Sequence, residues 1–189
     1  IAFKSRIYLL DLGNNTMNKK KRAIIIFPQF GSDTNLIQDI RNQYDPLAHK
    51  IAPHITLVFP FESDISSNEL RQHLKNSLYE FKSFNLTLQR IIHGQENHLF
   101  LNITRGQKEV IEIHDLLYSR LLIGFLSKQH HYQPHLTVGR FKDLNAVKIA
   151  MNKLKYFDYK FETTIDKITT EIILDDLSSN PPSANLQVP

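Results

Sequence analysis

A five-residue pattern that occurs twice constrains this chain more than any other feature. Pro53-His54-Ile55-Thr56-Leu57 returns as Pro134-His135-Leu136-Thr137-Val138, with the two histidines 81 residues apart. Each copy follows a helical stretch and a loop, and each opens a run of β-forming residues. Repetition at matching places in the order of elements implies a duplicated half-fold, whose copies can face each other across a pseudo-twofold axis. Strand geometry then assigns the side chains. His54 and Thr56 point one way, as do His135 and Thr137, each pair ~7 Å apart along its strand. Ile55, Leu57, Leu136 and Val138 point the other way, into a core. Proline has no N–H to donate, so it belongs at a strand's first residue, where both copies place it.

Two imidazoles brought face to face suit phosphoester cleavage. One takes a proton from the attacking oxygen and the other gives one to the leaving oxygen, and histidine titrates close enough to neutrality to do either. The threonine hydroxyls can donate to the non-bridging phosphate oxygens, where transition-state charge concentrates. A single His-x-Thr carries little weight, because threonine favours strands and a lone histidine beside it is usually a satisfied surface residue. Two copies in the same local setting are what make the pair informative. The residues leave open which histidine is the base; His135 as base and His54 as acid is the working assignment.

Around the repeat the chain alternates strands and helices. Ala23 to Phe27 reads as a buried strand. A helix begins at Ser32 or Asp33, carries Leu36, Ile37, Ile40 and Tyr44, and stops at Pro46. A second opens at Ser66 or Ser67 and presents Leu70, Leu74, Leu78 and Phe81. Strands at about 84 to 92 and 97 to 103 form a hairpin. A helix from about Lys108 to Leu122 turns Val110, Ile113, Leu117 and Leu121 inward. Another from Leu144 to Leu154 precedes one or two strands between Tyr159 and Leu174. The order predicts an α+β fold with antiparallel hairpins. Met17 stands before the basic run Lys19 to Arg22, so residues 1–16 read as an extension, 17–177 as one domain and 178–189 as a flexible tail.

Composition narrows the function. With 23 Lys and Arg against 19 Asp and Glu, the net charge is +4, a bias that favours an anionic ligand. No cysteine is present, which excludes thiolate nucleophiles, disulfides and cysteine zinc sites and fits a reducing compartment. No apolar run reaches the ~20 residues of a membrane helix. A cytoplasmic protein with no membrane contact, most simply a monomer, is the expectation. H-E-x-x-H, G-x-S-x-G, Walker and G-x-G-x-x-G patterns are all absent.

His54-Ile55-Thr56-Leu57-Val58-Phe59 and His135-Leu136-Thr137-Val138-Gly139-Arg140 resemble the paired H-x-T-x signatures of the two-histidine (2H) phosphoesterases. That superfamily includes 2′-5′ RNA ligase-like proteins and cyclic phosphodiesterases. The resemblance spans about Arg22 to Leu174. It implies a bilobal duplicated fold with two antiparallel sheets flanked by helices and a central cleft. It also implies hydrolysis of 2′,3′-cyclic phosphate or 2′-5′ phosphodiester linkages on RNA ends or cyclic nucleotides, with no metal and no cofactor. By resemblance His54 and His135 are the acid and base pair, and Thr56 and Thr137 the phosphate ligands. Arg140 falls where some members keep an arginine, although strict alternation turns it away from His135. Tyr132, with His131 beside it, lies in the loop before the second motif and could stack on a base. Phe59 reads as a core residue, His49 and Lys50 as neighbours of the cleft mouth, and His93 and His98 as turn polarity. The same residues also allow a binding module without turnover, or a metal recruited by His54, His135 and an acidic residue.

Overall fold

In a computed structural model, which describes residues 19–127 and 131–187, the first strand β1 is Lys20–Ile26. Its last five residues are buried without alternation, so both faces are covered. α1 (Thr34–Tyr44) follows and ends just before Asp45-Pro46, where the residue preceding proline leaves the helical region. After a loop comes β2 (Ile55–Ser63). α2 (Ser67–Ser77) starts at a reciprocal cap: the Glu69 amide donates to the Ser66 hydroxyl at 3.2 Å, and the Ser66 amide to the Glu69 carboxylate at 2.9 Å. β3 (Phe84–His93) and β4 (His98–Arg105) make the expected hairpin. α3 (Gln107–Leu117) is shorter than its periodicity predicts, because Arg120 takes a positive φ and the chain continues as a 3-10 helix over Arg120–Phe125, leaving Leu121 at the surface. β5 (His135–Arg140), α4 (Leu144–Leu154), β6 (Lys160–Ile165) and β7 (Lys167–Ile173) complete the predicted series.

The strands form one antiparallel eight-stranded sheet in the order β6-β3-β4-β5-β2-β1-β7-β8. Two separate sheets were expected; instead two four-stranded halves are joined through a single residue pair, Ile55 opposite Leu136, between β2 and β5. The halves also interlock. α1, which precedes the first motif, packs on β5, and α3, which precedes the second, packs on β2. Each half therefore covers the motif strand of the other, and the buried apolar residues on that side form one cluster, from Ile37 and Ile40 to Val110, Ile113 and Leu117, rather than two lobes.

The second correction concerns the tail. Ser179–Gln187 is a strand, β8, paired antiparallel with β7 from Ile173↔Ser179 to Lys167↔Gln187, after a turn over residues 175–178 in which the Ser178 amide and hydroxyl donate to the Asp176 carboxylate. The expected extension over residues 1–16 lies outside the described residues.

Candidate active site

β2 and β5 share one pair and then part, so the chain has a cleft at the middle of its sheet. Ile55 and Leu136 are fully buried on the helix side. Carried one residue either way, their register sets His54 across from Thr137 and Thr56 across from His135, all on the other face. The register therefore turns these four side chains toward one region beside the Ile55–Leu136 pair. A cavity of about 560 Å3 opens there, and His54, Thr56, His135 and Thr137 all line it. The sequence repeat thus brings two imidazoles and two threonine hydroxyls to the wall of one cavity.

The backbone also fixes the tautomers. His54 Nδ1 lies 2.9 Å from the carbonyl oxygen of Ala52, and His135 Nδ1 lies 2.6 Å from that of Gln133. A carbonyl oxygen only accepts, so each Nδ1 carries the proton and each Nε2 keeps its lone pair. Burial lowers the pKa of His54 to about 4; the charges of Arg41 and Arg140 push the same way, against the Ala52 carbonyl and Asp45. His135 is also lowered to about 4, first by burial and then by His98 and Arg140, against the Gln133 carbonyl. Both rings are neutral at pH 7 in the free protein. The ring of Phe100 stacks on His135 with centroids 3.5 Å apart and planes 14° apart, whereas Phe27 meets His54 edge-on at 6.2 Å.

Arg140 corrects the sequence reading. β5 pairs Phe100↔Thr137 and then Leu99↔Gly139, so Val138 is an extra residue, a bulge that restarts the alternation. Val138 and Gly139 are buried in succession, and Arg140 emerges on the cavity side with His135. There it forms an ion pair with Asp45, whose side chain is fully buried and also accepts from Arg41 Nε at 3.0 Å and from the Leu47 amide at 3.0 Å. Burial alone would raise the Asp45 carboxyl; Arg140, the Leu47 amide and Arg41 outweigh it and hold the pKa below the usual range. β2 repeats the device. Ile25↔Thr56 is followed by Ile24↔Val58, Leu57 is the extra residue, and Phe59 comes out on the cavity face, 43% exposed. Expected in the core, Phe59 is therefore a cavity residue by the same bulge.

Tyr132 does not line the cavity. Its ring lies flat on buried His114, with centroids 3.7 Å and planes 11° apart, and its hydroxyl donates to the Thr56 carbonyl at 2.8 Å. Burial, then Tyr118 and Asp115, raise its pKa, so it remains a donor. His131 and His98 do reach the cavity, while Lys50 instead bonds the Asp176 carbonyl. Sequence reasoning missed Asp45, which stands just before the Pro46 read as the helix stop, and Phe100, which nothing marks before the bulge is known. Glu96 and Lys21 are further charged residues on the cavity wall. Among the described residues no three His, Asp or Glu side chains gather to hold a metal ion, and no helix is long and apolar enough to cross a membrane.

Comparison with known proteins places the family and the fold. The profile of the 2′-5′ RNA ligase superfamily matches residues 28–175. A Geobacillus kaustophilus protein named as a candidate phosphoesterase is 30% identical over 157 residues, covering 78% of this chain and 84% of that one. A similarly named Bacillus licheniformis protein is 27% identical over 164 residues, covering 82% and 92%. Crystal structures of E. coli LigT share the fold: the apo form has a TM-score of 0.60 at 15% identity, and the complex with 3′-AMP 0.57 at 14%, each over 90% of this chain and 98% of that one. With a profile match over most of its length, the chain belongs to the 2′-5′ RNA ligase superfamily, the two-histidine phosphoesterases.

Proposed function

We propose that this protein is a metal-independent phosphodiesterase that hydrolyses 2′,3′-cyclic phosphates or 2′-5′ phosphodiester linkages on RNA ends or cyclic nucleotides. The observation that carries the reading is the single Ile55–Leu136 pair, which sets both His-x-Thr copies around one cavity. Phosphorus sits among the four side chains, with its non-bridging oxygens on Thr56, Thr137 and Arg140. His135 Nε2 takes a proton from water as its oxygen bonds to phosphorus; His54, protonated, gives one to the ribose oxygen as that P–O bond breaks. The product is a phosphomonoester with a free hydroxyl, and the protons balance.

The assignment of roles follows surroundings. At His54 the charges of Arg41 and Arg140 disfavour the imidazolium more than the Asp45 carboxylate favours it, so the acid role rests on that carboxylate being a kind of neighbour that does not bear on His135. The charges that bear on His135, from His98 and Arg140, only disfavour its imidazolium. A bound phosphate anion adds negative charge beside both rings and raises their pKa values, restoring a proton to His54. E. coli LigT has been crystallised with 3′-AMP and with phosphate, which supports a nucleotide phosphate as the ligand here. Phe59 and Phe125 line the same cavity and offer rings to a base.

One observation favours a second reading, a nucleotide- or RNA-binding module without turnover. In the free protein both imidazoles are neutral at pH 7, so no acid stands ready before the ligand arrives. An assay with excess chelator decides between them, comparing 2′,3′-cyclic nucleotides, RNA ending in a cyclic phosphate and 2′-5′ dinucleotides. Hydrolysis of at least one supports the enzyme; tight binding with no product supports the module; activity that disappears with chelator replaces both with a metal mechanism. The enzyme is further expected to act in the cytoplasm as a monomer, which fractionation and sedimentation of the full chain would check.

A further inference from the structure

The two motif strands are barely joined by the sheet, yet four groups must hold their places to within a fraction of an ångström for proton transfer to a common phosphate. After Ile55↔Leu136 no β2–β5 pair continues. At the next residue, Thr56, the backbone carbonyl is met by a side chain, the Tyr132 hydroxyl at 2.8 Å. Three residues on, the Phe59 amide donates to the Tyr118 hydroxyl at 3.0 Å. Of these two contacts only the first crosses between the motifs. Tyr132 stands three residues before His135, in the loop whose Gln133 carbonyl fixes the His135 tautomer. Its bond therefore ties the segment that aims one histidine to the strand that carries Thr56.

The tyrosine is itself held rigidly. Its ring stacks on His114, which is buried on α3 and bonded through Nδ1 to Asp115 at 2.9 Å, and α3 packs on β2. Phe59 meets the same ring edge-on at 6.4 Å. Among the described residues, the Tyr132 hydroxyl bonds a carbonyl of the first motif.

We propose that Tyr132 is a positioning residue, a clamp from the His135 loop to the Thr56 carbonyl that replaces the missing sheet hydrogen bonds and sets the spacing between the two histidines. Its catalytic consequence rests on the phosphodiesterase reading; its effect on the rings does not. A direct base-stacking role is a different use of the same residue and leaves a different trace.

The test is Tyr132→Phe, which removes one oxygen and keeps the ring. Expected are a ~10-fold to ~100-fold fall in kcat with KM within about twofold, and displaced NMR signals with altered titration of the His135 ring, because misplacement rather than lost binding is the defect. His114→Phe keeps the hydroxyl and a ring beneath it, and is expected to hold kcat within about threefold. A raised KM with kcat kept would assign Tyr132 to the substrate and overturn the clamp. So would a His114→Phe loss as large as that of Tyr132→Phe, which would place the effect in packing. If the wild-type chain turns over none of the phosphodiesters, the phosphodiesterase reading fails by itself. The histidine spectra of Tyr132→Phe then decide the clamp: displaced His135 signals support it, and unchanged His54 and His135 signals overturn it.

Discussion

The first half of the molecule, with His54, and the second, with His135, share a backbone and differ in what they hang on it. Both place a ring Nδ1 against the carbonyl two residues back, and both follow the motif with a bulge that buries two residues in succession. Five residues past the histidine the same bulge delivers Phe59 on one side and Arg140 on the other. The first half thus contributes a ring and the second a cation held by buried Asp45. His54 lies edge-on to Phe27, and His135 lies flat on Phe100. The repeated motif supplies two similarly placed imidazoles, and these surroundings make them unequal, as the proposed reaction with one acid and one base requires.

Removing either ring is the severest way to test that inequality. His54→Ala and His135→Ala are each expected to lower kcat by ~10^3-fold or more, with the double variant little worse, because the two act as a unit. With a substrate whose leaving group needs no proton, such as a p-nitrophenyl ester, the His54 variant should recover most of its rate and His135→Ala should not. Equal recovery by both would erase the assignment of roles. Next comes the charge that only one half carries. Arg140→Met should cost ~10^2-fold in kcat/KM, as loss of a transition-state charge contact does, while Phe59→Leu should mainly raise KM, read on the same cyclic substrate. Asp45→Asn leaves Arg41 buried without a carboxylate and is expected to destabilise the fold by about 3 kcal/mol, measured by urea unfolding.

A smaller effect reaches one half through packing. A Cβ on Gly94 would lie 2.0 Å from the Phe100 ring, which stacks on His135. Gly94→Ala must displace that ring, so a ~10-fold loss of kcat is expected with the His54 resonance unmoved. Movement of both histidine signals would mean the halves are coupled through more than the cleft.

How much of this could be read from the residues is itself uneven. Period-two alternation placed His54, Thr56, His135 and Thr137 on one face, and helix caps such as Ser66 with Glu69 were visible as local grammar. The alternation failed at Val138 and Leu57, because a bulge is set by how neighbouring strands register, and no short-range pattern encodes that. Arg140 and Phe59 were misplaced by that one error. Asp45 was hidden for another reason: its partners Arg41 and Arg140 are four and 95 residues away, and only the first is in reach of a helical reading. The interlocking of α1 with β5 and α3 with β2, which replaces two lobes with one sheet, is likewise a property of long-range packing.

The mildest prediction concerns what the two depressed histidines cost the fold. Each is held near 4 in the folded protein against an ordinary value of 6.5. Above pH 6.5 both states leave the rings neutral and nothing is lost. As pH falls from 6.5 toward 4 the unfolded chain takes up protons that the folded chain refuses, so this contribution to stability declines. Partial exposure of both rings moderates the effect to a drop in melting temperature of about 5 °C between pH 7 and 5 for a chain of this size. His54→Gln and His135→Gln should each flatten that slope by about half, since each removes one of two similar protonation sites. Inorganic phosphate should flatten it further by raising both pKa values toward their unfolded range. A slope unchanged in either variant would mean that ring is not the buried, neutral group the cavity makes it, and the symmetry of the two halves would fail at its most elementary level.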